Sequence, residues 1–503
     1  MSTRELCEAL RDPAAFPEPG ETVEVRETHI SVLFLTGDYV YKVKKPIRTD
    51  FLDYRSLQQR QHYCQQEFRL DRRYAEDLYL GVVPICRVDG LCRVESDGPP
   101  VEYAVKMRRF PQEALLSRRL EAGKFSTDEV RQLAEHVAHF HLAADRCDPE
   151  FARGWPDFVT DNLTEMIGQI GPTLPEEQQA MLGPIRQWSE NFLQEFRPYF
   201  DHRVREGFVR ECHGDLHVEN VLQWNGRWVP FDGIEFNERL RRIDVMADVA
   251  FLVMDFAARG CWNWSHSFLN AYLEITGDYR QLALMKWFEL YRAIVRVLVA
   301  SIRLQQPGLA AEERDGAEAD LQRHLELALR YTQPSRPRLW ITHGLSGSGK
   351  TTVSEQWVQS GGDQHVGTIR LRSDVERKRM MNQLESPMVR PDTLYHDRTT
   401  RQTYERLYDL SGELLRAGRS VVVDATFLRH ADRTAFRAMA DRYDVPFGII
   451  DCQADLQTLR QRLQDRQRGG ADVSDADTEV LETQRQTLQP LTDAERNCVV
   501  TEP

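Results

Sequence analysis

Asp215 and Asn220 stand five residues apart in His213-Gly-Asp-Leu-His-Val-Glu-Asn220. Phosphoryl transfer asks for such a pair, a carboxylate that takes the proton of an attacking hydroxyl and an amide that holds a metal ion. It also asks for a second metal-binding carboxylate from the next hairpin. Asp232 in Val229-Pro-Phe-Asp-Gly, twelve residues after Asn220, answers to that place. Much later in the chain, Gly344-Leu-Ser-Gly-Ser-Gly-Lys-Thr351 matches G-x-x-x-x-G-K-[ST]. Backbone N–H groups along Gly344, Ser346, Gly347, Ser348 and Gly349 can wrap a β-phosphate, and the following helix adds the positive end of its dipole. In that pattern Lys350 reaches the β/γ-phosphates, the Thr351 hydroxyl takes Mg²⁺, and Thr352 continues the first turn. The cofactors implied are ATP and Mg²⁺.

Three further groups accompany this loop. In Arg372-Ser-Asp-Val-Glu-Arg377, Asp374 can accept the proton of an acceptor hydroxyl, with Arg377 one turn on in reach of an anion. In Val421-Val-Val-Asp-Ala-Thr426, Asp424 ends an apolar run where a carboxylate meets Mg²⁺ directly or through water. The run Leu459-Arg-Gln-Arg-Leu-Gln-Asp-Arg-Gln-Arg-Gly-Gly470 carries Arg462 and Arg466 on an arginine-rich helix. As a lid it would exclude water and bring positive charge to the moving phosphoryl group. Plainer readings exist for each: an Asx-turn with buried histidines at Asp215, a turn carboxylate at Asp424, a solvated helix face at the arginines.

These residues need elements to hold them. Residues 23–25, 32–35 and 39–43 read as strands, with Thr36-Gly-Asp38 as a hairpin turn. Helical periodicity covers 55–75 and dominates after about 117. Gln333-Pro-Ser-Arg-Pro337 ends a helix and suits an exposed linker. The last third alternates apolar strands at 339–342, 420–423 and 447–451 with helices, the βαβ pattern of a parallel sheet. Two domains follow, 1–332 and 338–503.

The segment from His213 to Asp248 resembles the aminoglycoside phosphotransferase family, within the wider protein-kinase-like group, and the likeness extends over about 33–303. It implies a two-lobed α+β fold with Asp215 as catalytic base and Asn220 and Asp232 as Mg²⁺ ligands. It also implies a strand lysine that grips the α/β-phosphates and pairs with a helix glutamate. Tyr39-Val-Tyr-Lys-Val-Lys44 fits the strand and Glu67 the helix. Lys42 and Lys44 share one strand face, so spacing does not separate them; the family's strand pattern favours Lys42. Lys106, in Tyr103-Ala-Val-Lys-Met, is locally more similar to the family's lysine motif but stands too late in chain order. No glycine occurs in 27–35, where a glycine-rich loop would cover the phosphates. Asp248 is implied to be a structural partner of the Asp215 loop. Residues 339–500 resemble small P-loop kinases such as polynucleotide 5′-hydroxyl kinases, gluconate kinase and zeta-toxin-like enzymes; the Asp374–Arg377 pairing is most similar to the polynucleotide kinase branch. The fusion as a whole resembles a family of bacterial two-domain proteins.

Composition agrees with a globular chain. The 503 residues are 41% hydrophobic and 28% charged, enough for a sizeable core and, at roughly 150 residues per domain, about three units. No apolar run approaches the ~20 residues of a membrane helix, and the first residues form no secretory h-region. Nine scattered cysteines without C-x-x-C point to reduced thiols in the cytoplasm and against a zinc ribbon. From Arg336 onward there are 24 Lys and Arg against 25 Asp and Glu; before it, 41 against 53. The acidic first part disfavours extended DNA binding and tolerates a cationic substrate, although acidity also serves solubility. The reading is an ATP·Mg-dependent phosphotransferase with two kinase-like modules, acting on a hydroxyl of a small molecule or a nucleic-acid end. The alternative is a nucleotide switch whose first domain binds a ligand without catalysis. Oligomeric state is not legible.

Overall fold

The computed structural model describes residues 3–18, 20–49, 52–360, 366–381, 397–469 and 478–502, with the backbone alone for 397, 466–469 and 478. Six strands form an antiparallel sheet: β1 (Glu24–Glu27), β2 (Ser31–Thr36), β3 (Tyr39–Lys44), β4 (Tyr79–Val88), β5 (Leu91–Val94) and β6 (Pro100–Arg108), in the order β1-β2-β3-β6-β4-β5. Gly37, at φ +52°, makes the tight turn between β2 and β3. Alternation sorts β3 into two faces. Tyr41 and Val43 pack with Phe34, Ile85 and Ala104 on one side. Val40 packs with Cys64, Val105 and Met107 on the other, the side of the helix Leu57–Asp71, and Lys42 and Lys44 point the same way. That helix starts at a capping box, Ser56 with Gln59, and buries Cys64, Glu67, Leu70 and Asp71.

Short ribbons carry the next motif. β7 (Val209–Glu211) pairs with β10 (Arg242–Asp244), and β8 (Val221–Trp224) pairs with β9 (Arg227–Pro230) across an Asn225-Gly226 turn. The Asp215 loop runs from β7 to β8, and Asp232 follows β9.

The last region is a parallel sheet of β11 (Leu339–His343), β12 (Thr368–Arg372), β13 (Ser420–Asp424) and β14 (Phe447–Asp451), in the order β12-β13-β11-β14. Its strands are almost wholly buried, as expected for a parallel sheet covered on both faces. The chain therefore joins an α+β domain with an antiparallel sheet to an α/β domain with a parallel sheet.

Packing groups the chain differently from the linker at 333–337. One compact unit comprises 1–158 with 202–252, and the other 159–201 with 253–503. The helix Trp262–Thr276 belongs to the second unit because it packs on β12 and on the helix Lys350–Ser360. Within the described residues no helix is long and apolar enough to cross a membrane, and all nine cysteines are free.

Candidate active sites

In the first unit, Asp248 organises the Asp215 loop from below. Its carboxylate accepts the amides of His213 (3.0 Å) and Gly214 (2.9 Å), and His141 Nε2 lies 3.2 Å away. Cys212, buried beside His141 and Asp248, donates its thiol to the Ile243 carbonyl (3.6 Å). Arg203 pairs with both oxygens of Asp244, at 2.6 and 2.8 Å, and fixes the start of the helix Val245–Ala258, which carries Asp248. His213 accepts the Asp215 amide on Nδ1 (3.3 Å), so its Nε2–H donates to the Phe231 carbonyl (2.9 Å). Burial lowers the pKa of this imidazole, in keeping with a neutral ring.

Asp215 itself is about one-third exposed. Asn220 Nδ2 donates to the Asp215 carbonyl and to its Oδ2, both at 3.0 Å. The amide oxygen of Asn220, the end that suits a cation, is thus not the end held by Asp215. The Glu219 amide donates to His217 Nδ1, which leaves a proton on Nε2, 3.3 Å from Asp215 Oδ2. Asp232 sits at φ +61°, a conformation costly for a residue with a Cβ. It is held there because its own amide donates to Tyr79 Oη (3.0 Å) and the next one, Gly233, to Asp71 (2.9 Å). Burial, with Glu67 and Asp232 nearby, pushes the Asp71 carboxyl well above its ordinary range.

The two lysines separate here. Lys42 Nζ is 2.9 Å from Glu67 and also contacts Asp232. Lys44 Nζ is 2.6 Å from Glu67 and contacts Glu235, which also accepts from Tyr54 Oη (2.5 Å). Lys44 is fully enclosed, whereas Lys42 keeps an exposed edge beside Asp232. Burial opposes the Lys42 cation, but Asp232 and Glu67 outweigh it and raise its pKa. Burial likewise opposes the Glu67 anion, and the two lysines bring it down to about 2. Lys106 lies opposite Tyr41 in the β3–β6 register, on the other sheet face, where it pairs with Glu95 (2.7 Å) over the rings of Tyr39 and Tyr41. The β1–β2 connection, Thr28-His-Ile30, contains no glycine.

In the second unit the candidate residues stand at the carboxyl ends of the parallel strands, where open α/β sheets bind ligands. Gly344 adopts φ +143°, and a Cβ there would lie 2.2 Å from the Cys452 carbonyl oxygen. Gly347 and Gly349 also have positive φ, and the loop enters the helix Lys350–Ser360. Lys350 Nζ donates to the Gly344 and Leu345 carbonyls at 3.0 and 2.8 Å. The buried Ser348 hydroxyl has no partner. The Ser346 amide donates to Gln484 Oε1 (2.9 Å), and Arg462 Nη1 donates to the Gly347 carbonyl (3.1 Å). Gly344 leaves no room for a side chain and Ser348 offers an unpaired polar atom, so this loop fits a bound phosphate. β13 lies beside β11, which brings Asp424 next to the loop; Ser354 Oγ is 3.3 Å from Asp424 Oδ2. Thr351 opens the same helix, and Thr352 is exposed on it. Asp374 and Arg377 pair at 2.8 Å just past β12. The arginine-rich helix spans Leu456–Gly469, and the side chain of Arg466 lies outside the described residues.

Residues 339–491 match the family model described as an AAA domain. This last region is similar to AAA domains. Across 458 residues the chain is 28% identical to an uncharacterized protein of Mycobacterium tuberculosis, covering 90% of this chain and 88% of that one. A Mycobacterium bovis protein matches to the same extent. Among solved structures the chain is similar to a Plasmodium vivax ethanolamine kinase at 11% identity and a TM-score of 0.39, over 62% of this chain and 84% of that one. An amicoumacin kinase is similar at 13% identity and a TM-score of 0.40, over 66% and 94%.

Sequence reasoning missed four participants. Asp71 lies four residues after Glu67, on the same helix face, and that spacing could have drawn attention to it. Glu235 and Gln484 carry no such signal, since one sits in an irregular loop and the other on a helix remote in sequence. Arg372 opens the Asp374 motif, yet nothing local marks its contact with Asp424 (3.9 Å).

Proposed function

We propose that the chain is an ATP- and Mg²⁺-dependent phosphotransferase with two kinase-like modules, each moving a γ-phosphoryl group to a hydroxyl of a small molecule or a nucleic-acid end. The observation that carries this reading is a doubling. In each unit a carboxylate suited to take a hydroxyl proton, Asp215 or Asp374, accompanies a second suited to a divalent cation, Asp232 or Asp424. Lys42 in one unit and Lys350 in the other supply the cation for the phosphates. Asn220 with Asp232, and Thr351 with Asp424, would hold Mg²⁺, which when bound neutralises charge on the transferring group.

The residues then divide the work. Asp215, oriented by Asn220 and His217, takes the acceptor proton in the first module. Lys42, anchored on Glu67, fixes the phosphates beside Asp232. In the second module the glycine loop and Lys350 bind the phosphates, Asp374 takes the proton and Arg377 orients it. Arg462, already on the loop, supplies positive charge, together with Arg466. Nine free thiols suit a reducing cytoplasm.

The test is a γ-phosphate transfer screen against hydroxyl acceptors with the full chain, Asp215→Ala and Lys350→Ala. Two catalytic modules predict that each variant loses one acceptor and keeps the other. Slow ADP formation that no acceptor stimulates, abolished by Lys350→Ala alone, would favour the nucleotide switch.

A further inference from the structure

Glu274 lies on the helix Trp262–Thr276, outside every phosphate-binding motif. Its two oxygens hold the two arginines of β12. Oε1 accepts from Arg370 Nη2 (2.7 Å) and Nε (2.9 Å), and Oε2 from Arg372 Nη1 (3.3 Å). Arg372 Nε in turn stands 3.9 Å from Asp424 Oδ2, and Arg370 Nη1 reaches Glu355 and the Thr351 carbonyl, both at 3.4 Å. Glu274, Arg370, Arg372 and Asp424 are each less than 15% exposed. Burial opposes the Glu274 anion, but Arg370 and Arg372 keep its carboxyl below the ordinary range.

The helix that carries Glu274 is locked to the sheet. One turn earlier, Asn270 Nδ2 donates to the Thr368 carbonyl (2.9 Å) and its oxygen accepts the Arg370 amide (2.7 Å), so a side chain completes the edge of β12. Arg379 donates to the Glu274 and Ile275 carbonyls at 2.7 and 3.2 Å. Glu274 therefore cannot slide along β12.

Consider the charges of this cluster: Arg370 and Arg372 against Glu274, Glu355 and Asp424. With all three acids ionised, one negative charge is left over, and Asp424 faces the loop. Without the Glu274 charge the five groups balance, and Arg372, already 3.9 Å from Asp424 and also within the field of Asp374, is drawn toward these carboxylates. A guanidinium that settles on a carboxylate through two parallel bonds occupies both oxygens.

We propose that Glu274 is a positioning residue for the P-loop metal site: by holding Arg372 it keeps that guanidinium off Asp424 and leaves Asp424 open to a divalent cation. The inference rests on the reading of Asp424 as a Mg²⁺ group. Binding of a fluorescent ATP analogue to the full-length chain, titrated with Mg²⁺ and repeated in EDTA, tests it; the signal counted is the part lost in Lys350→Ala. Glu274→Gln should need about tenfold more Mg²⁺, the scale of one charged hydrogen bond, and bind unchanged in EDTA. Glu274→Asp should lie near wild type, and Glu274→Gln with Arg372→Gln should return to it. A shift under twofold for Glu274→Gln, or equal losses with and without Mg²⁺, overturns the proposal while Asp424→Asn still alters the Mg²⁺ demand. Should Asp424→Asn leave that demand unchanged, the reading of Asp424 falls and takes the proposal with it. If Glu274→Gln does not fold, Arg372→Gln alone decides: unchanged or lower Mg²⁺ demand supports the proposal, and higher demand overturns it.

Discussion

The two candidate sites use opposite materials. The P-loop site is built of backbone: glycines at positive φ and the start of a helix, all within one run of eight residues. The site in the first unit is built of buried charge. Lys42, Lys44, Glu67, Asp232 and Glu235 come from a strand, a helix and a loop and pair with one another. A backbone site tolerates changes in its surroundings but no added Cβ. A charge site tolerates added volume at its edge but no missing partner, because a buried ion without its counter-ion costs several kcal/mol.

The largest effects should fall on the backbone site. Gly344→Ala places a Cβ 2.2 Å from the Cys452 carbonyl oxygen at φ +143°. Nucleotide binding that depends on Lys350 should vanish, and a binding isotherm checks this; near-normal affinity would mean that the loop is not the phosphate site. Asp374→Asn tests the chemistry beside it. A general base contributes about 10²–10⁴-fold in rate with little effect on nucleotide affinity. Steady-state kinetics should show kcat falling by that order with ATP·Mg binding retained, whereas Asp424→Asn should shift the Mg²⁺ dependence. Lost binding with normal turnover at saturating ATP would remove Asp374 from the acceptor side.

The same contrast explains what was legible in the sequence. Gly344 to Thr351 is contiguous, so its chemistry and its strand–loop–helix context could be read together, and β11 and the helix Lys350–Ser360 stand where that context requires. Asp215, Asn220 and Asp232 share fixed spacings across a short hairpin and were equally visible. Lys42 and Lys44 were not separable, because strand alternation puts both on one face. Only the partners divide them, and Glu235 lies 191 residues from Lys44. Long-range ion pairs leave no local period. The Glu274–Arg372 contact was hidden for the same reason, since the linker at 333–337 lies between its partners in the chain.

The lysine pair offers the next test of the charge site. Lys44→Ala removes a fully buried cation shared by Glu67 and Glu235 and should destabilise the first unit by about 3–5 kcal/mol. Lys42→Ala strands Glu67 less completely, because Lys44 still holds it, and opens toward the exposed edge. It should cost less stability but remove the Asp215-dependent transfer. Chemical denaturation followed with the two activities separates them; equal destabilisation by both changes would erase the distinction between a structural and a phosphate-facing lysine.

The smallest expected effect is one of pH, and it also divides the two sites. In the folded chain Glu67 is driven from its ordinary value of 4.5 to about 2 by Lys42 and Lys44. A depressed carboxyl contributes stability that is fully present above its unfolded value and is lost as pH falls toward the folded one. Acidification from about 4.5 to about 2 should therefore weaken the first unit through this residue. Asp71 runs the other way. Its folded value is raised, so it favours the folded state at low pH and partly offsets Glu67. The comparison that isolates Glu67 is the difference between wild type and Glu67→Gln in denaturant midpoint, followed through a probe in the first unit across that interval. Glu67→Gln should be less stable near neutrality, and the gap should close as pH approaches 2. A gap that stays constant would mean that the lysines hold Glu67 through packing and neutral hydrogen bonds, and the charge-built description of this site would fail.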